Sequence, residues 1–100
     1  MESLPKLTWH PAKDIAAPPS KPDGQTFDVT FVNRRESAVE LFWMDREGKP
    51  KSYGQIAPGK RKSQQTRPGA IWQIAFPENG KALGHFEVGD RKARAVIPDE

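Results

Sequence analysis

Apolar and polar residues alternate with a period of two along most of the chain after residue 25. In the first such segment, Phe27, Val29 and Phe31 alternate with Asp28 and Thr30. This spacing is typical of a half-buried β-strand, because successive side chains point to opposite faces. No window has the period of an amphipathic helix. About seven short strands are predicted in this way, at residues 27–32, 39–43, 51–53, 60–66, 71–76, 83–88 and 94–97.

The segments between the predicted strands are rich in turn residues. Gly, Pro, Asn and Asp occur at 47–50, 57–59, 68–69, 78–81 and 89–90. These residues favour or permit the backbone angles that tight turns need. Short strands separated by such turns indicate a β-sandwich. We therefore predict an all-β fold, a seven-stranded antiparallel β-sandwich.

The first 25 residues differ from the rest of the chain, because they contain five of its ten prolines. Proline fixes φ and removes a hydrogen-bond donor, so this stretch does not suit a sheet interior or a long helix. We divide the chain into a Pro-rich N-terminal arm or linker at residues 1–25 and a sandwich domain at residues 26–98. Trp9 has two interpretations, as an anchor on its own domain or as a contact for a partner.

Residues that carry catalysis or bind metals are scarce. The chain has no cysteine, which excludes disulfides, thiol catalysis and Cys-based zinc sites. His10 and His85 lack other ligands at metal-binding spacing, and no Gly-rich phosphate loop or nucleophile elbow occurs. Asp45 and Glu47 flank a turn, where acidic residues are ordinary. We expect no enzymatic activity, no metal and no cofactor.

The chain is mildly basic, with a formal charge of +3 and a pI near 9.4. This charge favours acidic partners, but the densest basic run, at 60–62, is too short to indicate nucleic-acid binding. No stretch approaches the ~18 apolar residues of a membrane span, and the N-terminus has no apolar signal segment. We expect a soluble, cytoplasmic protein that does not bind membranes.

Four motifs occur at spacings that together are specific, although each alone is weak. They are Phe31-Val32-Asn33-Arg34, the segment from Trp43 to Tyr53, Ala57-Pro58-Gly59 and Gly69-Ala70-Ile71-Trp72. In these motifs and their spacing the chain resembles the β domain of the von Hippel–Lindau (VHL) family. The resemblance covers about two-thirds of the chain.

The resemblance implies a β-sandwich that binds a hydroxyproline-containing peptide along an edge strand. In the family, two Trp and one Tyr enclose the hydroxyproline ring, and a Ser and a His hold its hydroxyl. Residues 60–66 match the edge strand, Thr66 stands at the Ser position, and Ala70 replaces the His. The peptide-binding residues implied in this way are Trp43, Tyr53, Gln65, Thr66, Ala70 and Trp72.

Ala70 reduces the expected selectivity for hydroxyproline, because losing one hydrogen-bond partner removes on the order of 0.5–1.5 kcal/mol. We therefore expect a non-catalytic module for proline- or hydroxyproline-containing protein segments. Two alternatives remain open. In one, Trp43 and Trp72 fill the core of a structural domain that has no pocket. In the other, acidic polymers bind to a basic surface formed by Arg34, Arg35, Lys60, Arg61, Lys62 and Arg67.

The family's recruitment of elongin and cullin partners depends on a helical domain that follows the β domain. No helical pattern follows Ile97, so we do not expect this recruitment. The chain is then a stand-alone, bacterial-type module or a segment of a longer protein. The Pro-rich arm favours the second alternative, since such linkers join domains.

Overall fold

The computed structural model describes residues 5–13, 17–20, 24–89 and 91–98, and these residues contain strands and turns but no helix. They form eight strands, which confirms the all-β prediction. The strands are β1 (His10–Pro11), β2 (Phe27–Asn33), β3 (Val39–Met44), β4 (Pro50–Ile56), β5 (Arg61–Thr66), β6 (Ile71–Ala75), β7 (Ala82–Glu87) and β8 (Ala93–Ile97).

The strands form two sheets, as a sandwich requires. One sheet has the order β1-β7-β6-β3-β4 and the other has the order β5-β2-β8. The predicted seven antiparallel strands differ from this in two details. The two-residue β1 is an additional strand, and β8 lies parallel to β2 while the other pairs are antiparallel. Period-two alternation shows which face a strand buries, but it does not indicate the direction of its neighbours.

The core lies between the two sheets and consists of the inward-facing residues of their strands. Phe31 from β2, Leu41 from β3, Ile74 from β6 and Phe86 from β7 are all completely buried. Burial of each such side chain stabilises the fold by about 1.5–3 kcal/mol. The apolar positions of the alternating pattern therefore mark the inner faces of the two sheets, which pack against each other.

A buried asparagine holds the end of β2 in place. The Asn33 side-chain amide donates to the carbonyl oxygens of Ser37 (3.0 Å) and Ile56 (3.0 Å), and its Oδ1 accepts a hydrogen bond from the backbone N–H of Arg35 (2.9 Å). Asn33 is 0 % exposed. Since an unpaired buried amide would be costly, this network explains the asparagine at the end of a β-strand.

The described part of the N-terminal arm lies on the sandwich. The backbone N–H of Leu7 donates to the carbonyl of Arg94 (2.9 Å), and the ring of Trp9 packs on Phe86 with centroids 5.1 Å apart. A Cβ on Gly84 would lie 2.5 Å from Trp9 Cζ2, so only glycine fits beneath the indole. The anchor interpretation of Trp9 is therefore confirmed.

A second stretch of the arm is fixed near the start of β6. The Ser20 hydroxyl accepts a hydrogen bond from the backbone N–H of Ile71 (2.7 Å), and the Ser20 N–H donates to the carbonyl of Asp45 (3.2 Å). Ser20 is 1 % exposed. The remaining positions of the predicted arm, 1–4, 14–16 and 21–23, lie outside the described residues.

Candidate functional site

A cavity of about 360 Å³ opens at one end of the sandwich. It is lined by residues of β3, β4, β5 and β6, by the turn between β5 and β6, and by the residue just before β2. The cavity brings together all six residues that the sequence assigned to a peptide site, and it adds Thr26 and Arg67, which the sequence did not assign to that site. Its lining residues are Thr26, Trp43, Tyr53, Gln65, Thr66, Arg67, Ala70 and Trp72.

Three aromatic side chains form the apolar part of the cavity. Trp43 on β3 and Trp72 on β6 are directly opposite each other in the antiparallel ladder, so they lie on the same face of the sheet. The ring of Tyr53 on β4 meets Trp72 edge to face, with centroids 5.2 Å apart and planes at 78°. Such tilted contacts are the favoured geometry for aromatic pairs.

Trp72 belongs both to the core and to the cavity. It is only 2 % exposed, and its ring meets that of Phe31 with centroids 5.6 Å apart. Trp43 is partly buried and packs against the same core, whereas Tyr53 is 39 % exposed. The sequence left open whether the tryptophans fill the core or line a pocket, and the Trp72 side chain does both.

The polar part of the cavity is centred on Thr66. Its hydroxyl accepts a hydrogen bond from the indole N–H of Trp72 (3.0 Å). A hydroxyl has one donor and two acceptor sites, so the Thr66 proton remains able to donate to another group. Ala70 is 1 % exposed and supplies no polar atom from its side chain. Ala70, which stands where the family that the chain resembles has a histidine, is therefore an apolar part of the cavity wall.

The rim of the cavity is polar and joins the edge strand to the chain that precedes β2. Gln65 Nε2 donates to Thr26 Oγ1 (3.3 Å), and Arg67 Nη1 donates to the carbonyl oxygen of Gly24 (2.9 Å). Arg67 is the one charged residue among the described residues that line the cavity. The sequence could not place Thr26 and Arg67 at the rim of this cavity, because their position depends on the pairing of β2 with β5.

Two edge strands flank the cavity. Among the described strands, β5 pairs only with β2 and β4 pairs only with β3. The prediction that residues 60–66 form an edge strand is confirmed. The Lys62 ammonium on β5 donates to the backbone carbonyl of Tyr53 on β4 and so links the two edges.

The structure separates Arg61 from Arg67, two residues of the basic surface that the sequence offered as an alternative site. Because β5 runs antiparallel to β2, Arg61 lies opposite Val32, near one end of the sandwich, whereas Arg67 lies at the other end. Arg35 stacks on Phe76, with its guanidinium carbon 5.6 Å from the ring centroid. It lines a separate cavity of about 590 Å³, whereas Arg67 lines the aromatic cavity.

The two histidines meet on the edge of the larger sheet. His10 and His85 are opposite each other in the β1–β7 ladder, and their rings stack with centroids 4.8 Å apart. Burial, followed by the neighbouring His10, lowers the pKa of His85, and Glu87 opposes this shift. Within the described residues, no three potential metal ligands come together. The sequence did not indicate this pair, because it arises from the pairing of two distant strands.

Comparison with known families supports the assignment of the fold. A family model of the VHL beta domain matches residues 20–83, a range that contains every lining residue of the aromatic cavity. No curated protein matches the chain. Over the described ranges, the chain has no helix that is long and apolar enough to cross a membrane.

Proposed function

The chain belongs to the VHL β domain family, and from this premise we propose that it is a non-catalytic module that binds an extended, proline-containing peptide. The VHL β domain is a substrate-recognition module, and membership of this family supports binding to a protein partner. The observation that carries the finer proposal is the convergence of Trp43, Tyr53 and Trp72 on one cavity beside a free edge strand.

The aromatic walls suit a proline ring. Trp and Tyr present large, rigid apolar faces with polar tips, and they bury a compact, rigid ring with little loss of side-chain freedom. A cavity of about 360 Å³ is at the lower end of the range for ligand sites. It accommodates a proline ring and part of a neighbouring residue. The remainder of the peptide then lies outside the cavity.

The free edge of β5 provides the second part of the proposed site. An extended peptide adds to such an edge through backbone hydrogen bonds, and pockets for individual side chains provide specificity. The strand carries Arg61 and Lys62 and has no acidic residue. This charge disfavours edge-to-edge pairing with another copy of the chain and favours peptides with acidic rather than basic flanking residues.

The chemistry around Thr66 and Ala70 governs the choice between proline and hydroxyproline. Thr66 provides one hydroxyl for a ligand hydroxyl, while Ala70 provides no second partner. One hydrogen bond is worth about 0.5–1.5 kcal/mol after the loss of hydration of both groups is included. We therefore propose that proline and hydroxyproline bind with affinities within about tenfold of each other, or about 1.4 kcal/mol.

The test is a titration of the ¹⁵N-labelled chain with two peptides that differ only in the hydroxyl of one proline. Coupled movement of the Trp43 and Trp72 indole signals and the β5 amide signals is the expected result. If neither peptide moves these signals at millimolar concentration, the proposal fails. If the hydroxylated peptide binds more than about tenfold tighter, the role assigned to Ala70 fails, whereas the proposal of a peptide site is retained.

A further inference from the structure

Tyr53 and Ile56 on β4 lie on the same face of the sheet although they are three residues apart. The Tyr53 ring contacts Trp72, and Ile56 is 2 % exposed within the core between the sheets. In a regular strand, side chains at an odd spacing point to opposite faces. An interruption of β4 must therefore separate these two residues.

The register between β3 and β4 contains this interruption. Phe42 pairs with Ser52 and Glu40 pairs with Gln55, so both Tyr53 and Gly54 lie opposite Leu41. This is a β-bulge, which changes the direction of the side chains beyond it. Gly54 has a φ of 99°, a value that residues with a Cβ rarely adopt. The bulge thus depends on glycine at position 54.

Lys62 holds the bulge from the opposite sheet. Its ammonium donates to the carbonyl of Tyr53, and a Cβ added to Gly54 would lie 3.4 Å from Lys62 Nζ. The lysine side chain therefore passes directly over the bulge and connects β5 to β4.

We propose that Gly54 and Lys62 are positioning residues that hold Tyr53 as the third aromatic wall of the cavity. Gly54 allows the backbone to turn so that the Tyr53 ring and Ile56 both point inward. Lys62 fixes the carbonyl of Tyr53 and thereby limits the movement of its ring. The consequence for peptide affinity rests on the proposed function, whereas the consequence for the position of the ring does not.

The first test compares Gly54→Ala with Gly80→Ala. Gly80 also has a positive φ, of 70°, and a Cβ there would meet no atom within 4 Å, so this control adds a side chain at another left-handed position, away from the cavity. The readout is the set of nuclear Overhauser contacts between the Tyr53 and Trp72 rings without peptide. We expect Gly54→Ala to lose these contacts and Gly80→Ala to keep them.

The second test compares Lys62→Met with Lys81→Met, at an exposed position away from the aromatic cavity. Lys62→Met keeps much of the apolar side chain and removes the donor, so we expect weaker contacts between the Tyr53 and Trp72 rings. Lys62→Arg keeps a donor and restores them. Lys81→Met leaves them unchanged. If Gly54→Ala does not fold, the lysine variants still test whether contacts at the bulge hold the Tyr53 ring in position.

The same variants are then titrated with the proline peptide. Gly54→Ala and Lys62→Met are expected to weaken binding by about fivefold or more, and the two control variants to leave it unchanged. If the wild-type chain binds no peptide but the ring contacts change as expected, Gly54 and Lys62 still position Tyr53, and only the proposed function fails. Unchanged ring contacts in both Gly54→Ala and Lys62→Met overturn the positioning, whatever the affinities.

Discussion

The indole N–H of Trp72 donates a hydrogen bond to the hydroxyl of Thr66 over 3.0 Å, and both side chains are almost completely buried. This bond satisfies a polar atom that the core would otherwise leave without a partner. It also orients the Thr66 hydroxyl, since an oxygen that accepts from the indole has its own proton free to donate elsewhere. One hydrogen bond thus serves the stability of the fold and the chemistry of the cavity.

Replacement of Thr66 by valine should destabilise the fold. Valine keeps the shape of the side chain but leaves the Trp72 N–H without an acceptor, which costs about 1–3 kcal/mol. The free energy of unfolding in urea provides the measurement. Thr30→Val is the matched control, because Thr30 lies within β2 and is only partly buried, and we expect it to change stability by less than about 0.5 kcal/mol. Equal losses from both variants would contradict the structural role of the Thr66 hydroxyl.

Replacement of Ala70 by histidine should increase selectivity for hydroxyproline. Ala70 lines the cavity, so an imidazole placed there offers a second hydrogen-bond partner to a ligand hydroxyl. We expect the difference in binding free energy between the two peptides to grow by about 0.5–1.5 kcal/mol, as measured by calorimetric titration. Ala70→Leu fills similar space without a donor and should weaken both peptides equally. A rise in selectivity with leucine would show that shape, and not hydrogen bonding, is responsible.

Substitutions of the aromatic walls should separate binding from stability. Tyr53 is 39 % exposed, so Tyr53→Ala should abolish peptide binding and reduce stability by only about 1 kcal/mol. Trp72→Ala should abolish binding and also destabilise the fold by about 3–5 kcal/mol. Lys81→Ala, at an exposed position away from the aromatic cavity, serves as the control for affinity and for urea denaturation. Unchanged affinity in Tyr53→Ala would exclude the aromatic cavity as the peptide site.

Stability should decrease as the pH falls below about 6.5. Burial and the neighbouring His10 lower the pKa of His85 from its ordinary 6.5, so the unfolded chain binds a proton more readily than the folded chain. The stabilising contribution is fully present above the unfolded pKa, and it is lost as the pH falls from there towards the lower folded pKa. Urea unfolding at several values between pH 5 and pH 8 measures this effect.

His85→Gln provides the control for the pH dependence, because it removes the titrating ring from the stacked pair. Asp45 acts in a separate pH range. The hydrogen bond from the Lys49 backbone N–H is the main cause that lowers the pKa of Asp45 below its ordinary 3.8, so its contribution is lost only under more acidic conditions. If His85→Gln shows the same loss of stability between pH 7 and pH 5 as the wild type, groups other than His85 are responsible.

Much of the sandwich could be predicted from local alternation. Phe27, Val29 and Phe31 show β2 directly, because burial on one face leaves a period of two in the sequence. The cavity could be predicted only through the resemblance, since nothing local indicates that Trp43, Tyr53 and Trp72 meet. These three residues lie on different strands, and only the pairing of those strands brings them together in space.

The features that the sequence did not reveal depend on contacts between distant strands. The parallel pairing of β2 with β8 and the stacking of His10 on His85 leave no mark on the local pattern. The bulge at Gly54 was hidden for a different reason. One additional residue shifts the alternation within β4, and the short exposed segment around Tyr53 contains too few apolar residues to show the shift.

The pairing of β1 with β7 means that the sequence boundary at residue 26 is not a boundary of the folded unit. A fragment that began there would lose Trp9 from the surface of Phe86 and would leave β7 as an edge strand, paired only with β6. It would then combine an uncovered aromatic side chain with a strand whose backbone groups are free to pair, two features that promote aggregation. A recombinant fragment intended to stay monomeric should therefore retain the segment that contains Leu7, Trp9 and His10.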